Sequence, residues 1–219
     1  LTLKSLDDKF MKKKKKSILK KILLLALIMA LTIGGYYFYR NYQILKQVHQ
    51  YEEQVTEAVQ KENIPQHKDL VLGIIFTETK GENNDPMQSS ESKSGYPNQI
   101  EESQESIDQG VAFLAKAIKK AEAEGCDLWT AVQAYNFGLN YIDYVAENGG
   151  TNSLQLAEHY SKSKLSPKLG NDTQTKYRYL SLHSVFYNGG YLYHNGGNFF
   201  YADLVKANEK KIKQTNFLF

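Results

Sequence analysis

Two carboxylates seven residues apart, Glu78 and Asp85, bracket the point where an apolar run, Leu70-Val71-Leu72-Gly73-Ile74-Ile75-Phe76, gives way to a polar segment. Ile75, Ile74 and Val71 precede Glu78 by three, four and seven positions, so on a helix they share its face. The carboxylate therefore continues an apolar stripe instead of pointing to open solvent. Burial disfavours its ionised form, and a helix C-terminus repels negative charge, so both push its pKa upward. A carboxyl that keeps its proton near neutral pH can donate it, which is what the general acid of glycosidic-bond cleavage must do. The ordinary alternative is a partly exposed Glu at a frayed helix end.

Other chemistry-bearing residues offer less. His49, His67, His159, His183 and His194 show no HxxxH or HExxH spacing, so no metal site and no cofactor is expected. Cys126 is the single cysteine, which excludes an intrachain disulfide framework, and it reads as an inert, buried thiol. Trp129, the only tryptophan, is expected in the core and not as a sugar platform. Ten of the sixteen tyrosines fall at or after position 135, which suits either a wet, hydroxyl-lined groove or a small core.

These residues need a scaffold, and the charge pattern divides the chain into unlike parts. Residues 1–46 hold eleven Lys and Arg against two Asp and Glu; residues 47–219 hold sixteen against twenty-two. The overall net charge of +3 averages the two. Residues 1–21 form a basic N-terminus expected on the cytoplasmic side. Residues 22–39, ILLLALIMALTIGGYYFY, carry no charge and are long enough for a transmembrane anchor, with Tyr36, Tyr37 and Tyr39 placed as an interfacial belt. No good A-x-A cleavage site follows, so a retained single-pass anchor is expected, with a secreted form if the segment is cleaved. Residues 40–219 then form one domain on the outer side. Its acidic balance argues against nucleic acid as a partner.

The domain reads as mainly α. Helices are expected over Asn41–Asn63, Lys68–Thr79, Ser103–Glu124, from an Asp127 cap to Phe137, over Asn140–Glu147, Ser153–Ser163, Lys176–Phe186 and Ala202–Gln214. Glu82–Gln99 is expected to be a long loop. Tyr191-Leu192-Tyr193 could form a small strand between two Asn-Gly-Gly turns, yet no Val/Ile-rich alternating run points to a real sheet.

Three blocks resemble the lysozyme-like muramidases, the superfamily of goose-type lysozyme and lytic transglycosylases. Glu78-Thr79-Lys80-Gly81 stands where that superfamily has E-S-x-G. Asp85-Pro86-Met87-Gln88-Ser89-Ser90-Glu91-Ser92 is similar to the D-x-M-Q-S-S-E-S block of a bacterial branch, and Ala134-Tyr135-Asn136-Phe137-Gly138 to its A-Y-N-x-G. The branch includes the muramidase half of two-domain wall hydrolases of conjugative elements. The resemblance runs from about Val48 onward and implies a lysozyme-like fold.

It also implies roles. Glu78 takes the general acid's part. Asp85 becomes a candidate second carboxylate, acting as base on water or stabilising an oxocarbenium ion, against the plain reading of a loop Asp ahead of Pro86. Glu91 is its substitute. Gln88, Ser89 and Ser90 could hydrogen-bond sugar hydroxyls and acetamido groups, or merely keep a loop soluble. Tyr135 and Asn136 would line the opposite wall, with Tyr135 also fitting the core stripe. The implied partner is the peptidoglycan glycan strand, with cell-envelope or conjugation machinery as a further possibility. The peptidase half is missing, so action on glycan alone is expected. Three functions fit: a muramidase cleaving the β-1,4 bond from N-acetylmuramic acid to N-acetylglucosamine; a lytic transglycosylase leaving 1,6-anhydro ends; and a non-catalytic wall-binding protein. The Lys-, Asn-, Ile- and Tyr-rich composition fits a low-GC Gram-positive source.

Overall fold

The computed structural model describes residues 3–89 and 102–219, with side chains omitted for 3–10 and 12. The chain divides into two compact units, Leu1–Ile44 and Leu45–Phe219. The first is the greater part of α1 (Leu3–His49), which among the described residues is the one helix long and apolar enough to cross a membrane, over Lys13–His49. Its large apolar side chains, Leu23, Leu25, Leu31 and Phe38 among them, stay exposed all round the helix. That pattern suits a lipid-facing span and not the one-sided stripe of a soluble helix.

In the second unit, α2 (Glu52–Lys61) follows a break at Gln50–Tyr51, so the single helix expected over Asn41–Asn63 is two. The break has a cause in Tyr51, whose phenol donates to the Asn83 carbonyl at 3.2 Å and anchors the turn to the loop after α3. A 3₁₀ turn at Pro65–His67 leads into α3 (Lys68–Glu78), buried continuously from Leu70 to Phe76. A helix apolar on all sides has to be the centre of its domain. Helix α9 (Tyr201–Thr215) and α2 pack directly on it, and α4 (Ser103–Ala123), α5 (Leu128–Phe137), α6 (Asn140–Ala146) and α7 (Leu154–Tyr160) follow in sequence, α4 against α2 and each next helix against the one before it, with α5 also meeting α9. Helix α7 continues through a π-helical stretch, Ser161–Leu165, into a last turn at Ser166–Lys168.

Helix α4 shows how sequence makes this packing. Ile107, Val111, Leu114 and Ile118 recur at helical spacing and are all buried, each contributing about 1.5–3 kcal/mol by leaving water. Helix α5 starts because the Asp127 carboxylate accepts the Thr130 N–H at 3.0 Å, capping an otherwise unpaired donor. Helices α3 and α9 approach closely at Gly73, where a Cβ would stand 3.0 Å from the Glu209 nitrogen. That contact sets the height at which α9 delivers its first residue, Tyr201, over the end of α3.

A second helix expectation is corrected. Lys176–Phe186 is not a helix: β1 (Lys176–Arg178) is extended, and α8 (Leu182–Asn188) starts after it. β1 pairs antiparallel with β2 (Tyr191–Tyr193), in the register Lys176 to Tyr193 and Arg178 to Tyr191. Both pairs are cation–π contacts, Lys176 Nζ at 4.9 Å and Arg178 Cζ at 4.6 Å from the facing ring centroid. Cross-strand pairing of this kind stabilises strands too short to be read from periodicity.

Candidate active site

Helix α3 ends at Glu78, and the chain turns through Lys80 and Gly81, both left-handed at φ 57° and 76°. Thr79 fixes the turn: its hydroxyl donates to the Pro86 carbonyl at 3.0 Å and accepts the Gly81 N–H at 3.2 Å. The polar segment is thereby stitched to the helix end, and a second turn follows. The Asp85 carbonyl accepts the Gln88 N–H at 3.1 Å, while Asp85 Oδ1 accepts the Ser89 N–H at 2.9 Å and the Ser106 hydroxyl of α4 at 2.5 Å. Gln88 is held at φ 49°, a conformation that costs a non-glycine residue about 1 kcal/mol and persists only where neighbours impose it.

The result is a groove of about 630 Å³ whose walls include Glu78, Gln88, Ser89, Phe113, Tyr135 and Asn136. That volume suits a ligand of a few sugar rings. Gly110 of α4 forms part of the wall, and a Cβ there would lie 2.7 Å from both Met87 Sδ and Tyr135 Oη. A larger residue would therefore displace the groove's own lining. A depression of about 470 Å³ elsewhere, between Glu62 and Lys119, contains none of the residues singled out from the sequence.

Tyr201 governs Glu78. Its hydroxyl donates to Glu78 Oε1 at 2.6 Å, and its ring lies parallel to that of Tyr135, centroids 6.2 Å apart. Burial pushes the Tyr201 phenol well above its ordinary pKa, and the Glu78 charge adds to the effect. Tyr135 is raised likewise, by burial first and then by Glu78 and Asp85. Both phenols keep their protons through neutral pH and act as fixed donors, Tyr201 to Glu78 and Tyr135 to the Met87 carbonyl at 3.0 Å. Tyr201 is itself placed by α5. Gln133 donates to the Asn198 carbonyl at 2.9 Å and accepts the Ala202 N–H at 3.0 Å, while Asn136 accepts the Asn198 N–H at 2.7 Å.

Five of the residues singled out from the sequence, Glu78, Gln88, Ser89, Tyr135 and Asn136, therefore meet in one groove. Asp85 does not line it. Its side chain is 2 % exposed and turned toward Ser106 and the backbone of Ser89, behind the wall. Ser90 and Glu91 lie outside the described residues. Trp129 is half-buried beneath Lys206, whose Nζ sits 4.9 Å from its ring, and is no part of the groove. The Cys126 thiol is pushed up by burial and by neighbouring carboxylates, Asp127 foremost, and is correspondingly unreactive. Among the described residues no His, Cys, Asp or Glu cluster could hold a metal ion.

Sequence reading missed Tyr201, Gln133, Ser106 and Phe113. The surplus of tyrosines in the last third of the chain was the only trace of Tyr201. Gln133 and Ser106 carry a signal only in hindsight, as polar residues on the buried faces of α5 and α4.

Residues 45–209 match a family model described as lysozyme-like. Pneumococcal vaccine antigen A of Streptococcus pneumoniae is 45% identical over 184 residues, covering 84% of this chain and 90% of that protein. The bifunctional muramidase/DL-endopeptidase CwlT of Bacillus subtilis is 33% identical over 129 residues, 59% of this chain and 38% of the relative. Among solved structures, a Staphylococcus aureus protein described as similar to an NLP/P60-family lipoprotein superposes with a TM-score of 0.68 at 31% identity. That match covers 74% of this chain and 52% of the other.

Proposed function

Because this chain belongs to the lysozyme-like family, we propose that it is a peptidoglycan muramidase, cleaving the β-1,4 bond from N-acetylmuramic acid to N-acetylglucosamine. One observation carries the reading: a glutamate at the tip of a buried helix, oriented by a buried tyrosine, faces a groove of polysaccharide dimensions. Glu78, with Oε1 accepting from Tyr201, is the group that carries the proton. It delivers that proton to the glycosidic oxygen as the bond to the muramic acid C1 breaks. The N-acetylglucosamine hydroxyl departs, positive charge develops on the muramic acid ring, and water adds at C1 while Glu78 recovers a proton. Gln88, Ser89 and Asn136 supply hydrogen bonds along the strand. Tyr135 closes the wall against the sugar, and the relative named as a muramidase supports the substrate class.

Asp85 takes a different part from a base on water. Buried behind Ser89, it fixes the loop that forms the wall, and its charge is poorly screened there. It favours the sugar cation through space without touching the water. The same observation supports a second reading. With no second carboxylate lining the groove among the described residues, the muramic acid's own 6-hydroxyl could capture C1 and return its proton to Glu78, leaving a 1,6-anhydro end. Digestion of purified peptidoglycan with mass spectrometry of the released muropeptides separates the two. Reducing ends are expected; ends lighter by one water, ~18 Da, would make it a transglycosylase. No release by folded protein across a pH series would leave a non-catalytic wall-binding protein.

The uncharged run at 22–39 suits a membrane anchor, with the globular unit on the outer side where its substrate lies. Flotation of the full chain with vesicles, and protease accessibility of the globular unit from outside intact cells, test both parts of that reading.

A further inference from the structure

The hairpin that brackets α8 breaks the usual rule of surface composition. Leu182, Val185 and Phe186 fall at helical spacing on one face of α8 and are 81%, 45% and 87% exposed; Leu180, in the turn before the helix, is 70% exposed. The patch is continuous, because both Leu180 Cδ2 and Val185 Cγ2 lie within 3.4 Å of the Cβ position of Gly190. Scattered single hydrophobics need no explanation, but a run of large side chains this exposed marks a surface that meets something apolar. The opposite face of α8 is occupied normally: Ser184 is buried, and Tyr187 packs on Phe200 and donates to Glu158 at 2.9 Å.

Charge and tether length select the occupant. Residues 173–202 contain no Asp or Glu, in a domain where acids outnumber bases, and they carry Lys176 and Arg178, both exposed on β1; the carboxylates that reach α8, Asp203 at His183 and Glu158 at Tyr187, come from α9 and α7. Basic side chains lying over tyrosine rings beside exposed Leu and Phe are the composition of a headgroup boundary, where stems and rings sit in the apolar layer and charges reach anionic lipid. Six positions separate Tyr39, where the uncharged run ends, from Leu45, where the globular unit begins. Those positions belong to helix α1 and span only about 9 Å at its rise per residue, so on the anchor reading some face of the unit lies close to the bilayer surface.

We infer that the Leu180–Phe186 lobe is a second membrane contact, inserting Leu182 and Phe186 into the outer boundary of an anionic bilayer while Lys176 and Arg178 engage its headgroups. The inference rests on the anchor reading of residues 22–39. It confines the unit to substrate within a short distance of the membrane and restricts its rotation about the tether.

The full chain, with Trp129→Phe to remove the native fluorophore, is reconstituted into vesicles of phosphatidylcholine and phosphatidylglycerol, part of them brominated on the acyl chains. Phe186→Trp reports from the lobe, and Glu147→Trp from an exposed position at the end of α6, on a different element. Bromine is expected to quench the tryptophan at 186 at least twofold more than the one at 147, with the difference falling as phosphatidylglycerol is withdrawn. A chain that floats with the vesicles but shows equal quenching at both positions would overturn the lobe and leave the anchor standing, as for a face that meets a protein partner. Failure to float would remove the anchor and the inference with it. None of these readouts depends on glycan cleavage, so a chain without enzymatic activity would quench in the same way.

Discussion

The groove at Glu78 and the lobe at α8 each invert the usual distribution of polarity, in opposite directions. The groove puts carboxylates, phenols and hydroxyls inside: Asp85, Ser89, Ser106, Gln133 and Tyr201 are buried. The lobe puts Leu182 and Phe186 outside. Inside, the inverted groups are held by hydrogen bonds with neighbouring elements, Asp85 and Ser89 with Ser106 of α4 and Glu78 with Tyr201 of α9, so their geometry is fixed from more than one side. Outside, the apolar side chains stay uncovered by the described residues of the domain, so they are available to something else. On the proposed reading, buried polarity serves chemistry and exposed apolarity serves adhesion.

Mutations should separate the two regions sharply. The largest effect is expected from Glu78→Gln, which keeps the volume and a hydrogen-bond acceptor for Tyr201 while removing the transferable proton. Release of soluble fragments from labelled peptidoglycan should fall at least ~100-fold, with the melting temperature moved by no more than about 2 °C. Asp85→Ala should act mainly on the fold, because it strands the Ser89 N–H and the Ser106 hydroxyl in a buried site. A loss of about 2–3 kcal/mol in denaturant unfolding is expected. A stable Asp85→Ala chain with activity lost as completely as in Glu78→Gln would instead make that carboxylate act directly on the water or the sugar. Tyr201→Phe keeps the ring stack and removes one hydrogen bond to Glu78; initial rates should drop about tenfold, with the alkaline limb of the pH–rate profile, where Glu78 loses its proton, displaced.

The double change Leu182→Ser and Phe186→Ser should do the reverse of all three. Stability is expected within about 0.5 kcal/mol of the parent and cleavage of soluble glycan fragments unchanged, because exposed side chains take nothing from the core. A large stability loss would make the lobe part of the core and erase the contrast. The smallest effect lies outside both regions. The hydrogen bond from Lys68 holds the Glu52 carboxyl below its ordinary pKa, against partial burial and with help from His49. A carboxyl lowered on folding contributes stability that is present above its unfolded value and lost as pH falls through the lowered native one. Lys68→Met should therefore lower the melting temperature slightly above pH ~4.5, and the difference from the parent should close in more acid solution.

The same contrast explains what could be read from the chain. The groove's catalytic end was legible because Glu78 extends a helical stripe and because three short blocks resemble a known family. Helices α3, α4 and α5 were legible for the same reason, since burial along one face writes itself as periodicity. The partners that orient the site were not. Tyr201 lies 123 positions from Glu78 in the chain, and no local pattern encodes a contact at that range. The hairpin around α8 was misread because its strands are three residues each and are held by cation–π pairs across the ladder, which carry no alternation to detect. Asp85 was visible as a carboxylate, but the direction of its side chain depends on Ser106, on another helix.

On the proposed reading a glycan strand lies in the groove with the bond to be broken at Glu78. A crystal structure of the Glu78→Gln chain with a peptidoglycan tetrasaccharide decides it. Sugar rings are expected to run past Gln88, Tyr135 and Asn136, with a glycosidic oxygen within ~3.2 Å of the residue 78 side chain. A tetrasaccharide seated elsewhere on the domain, with the groove closed to it, would contradict it.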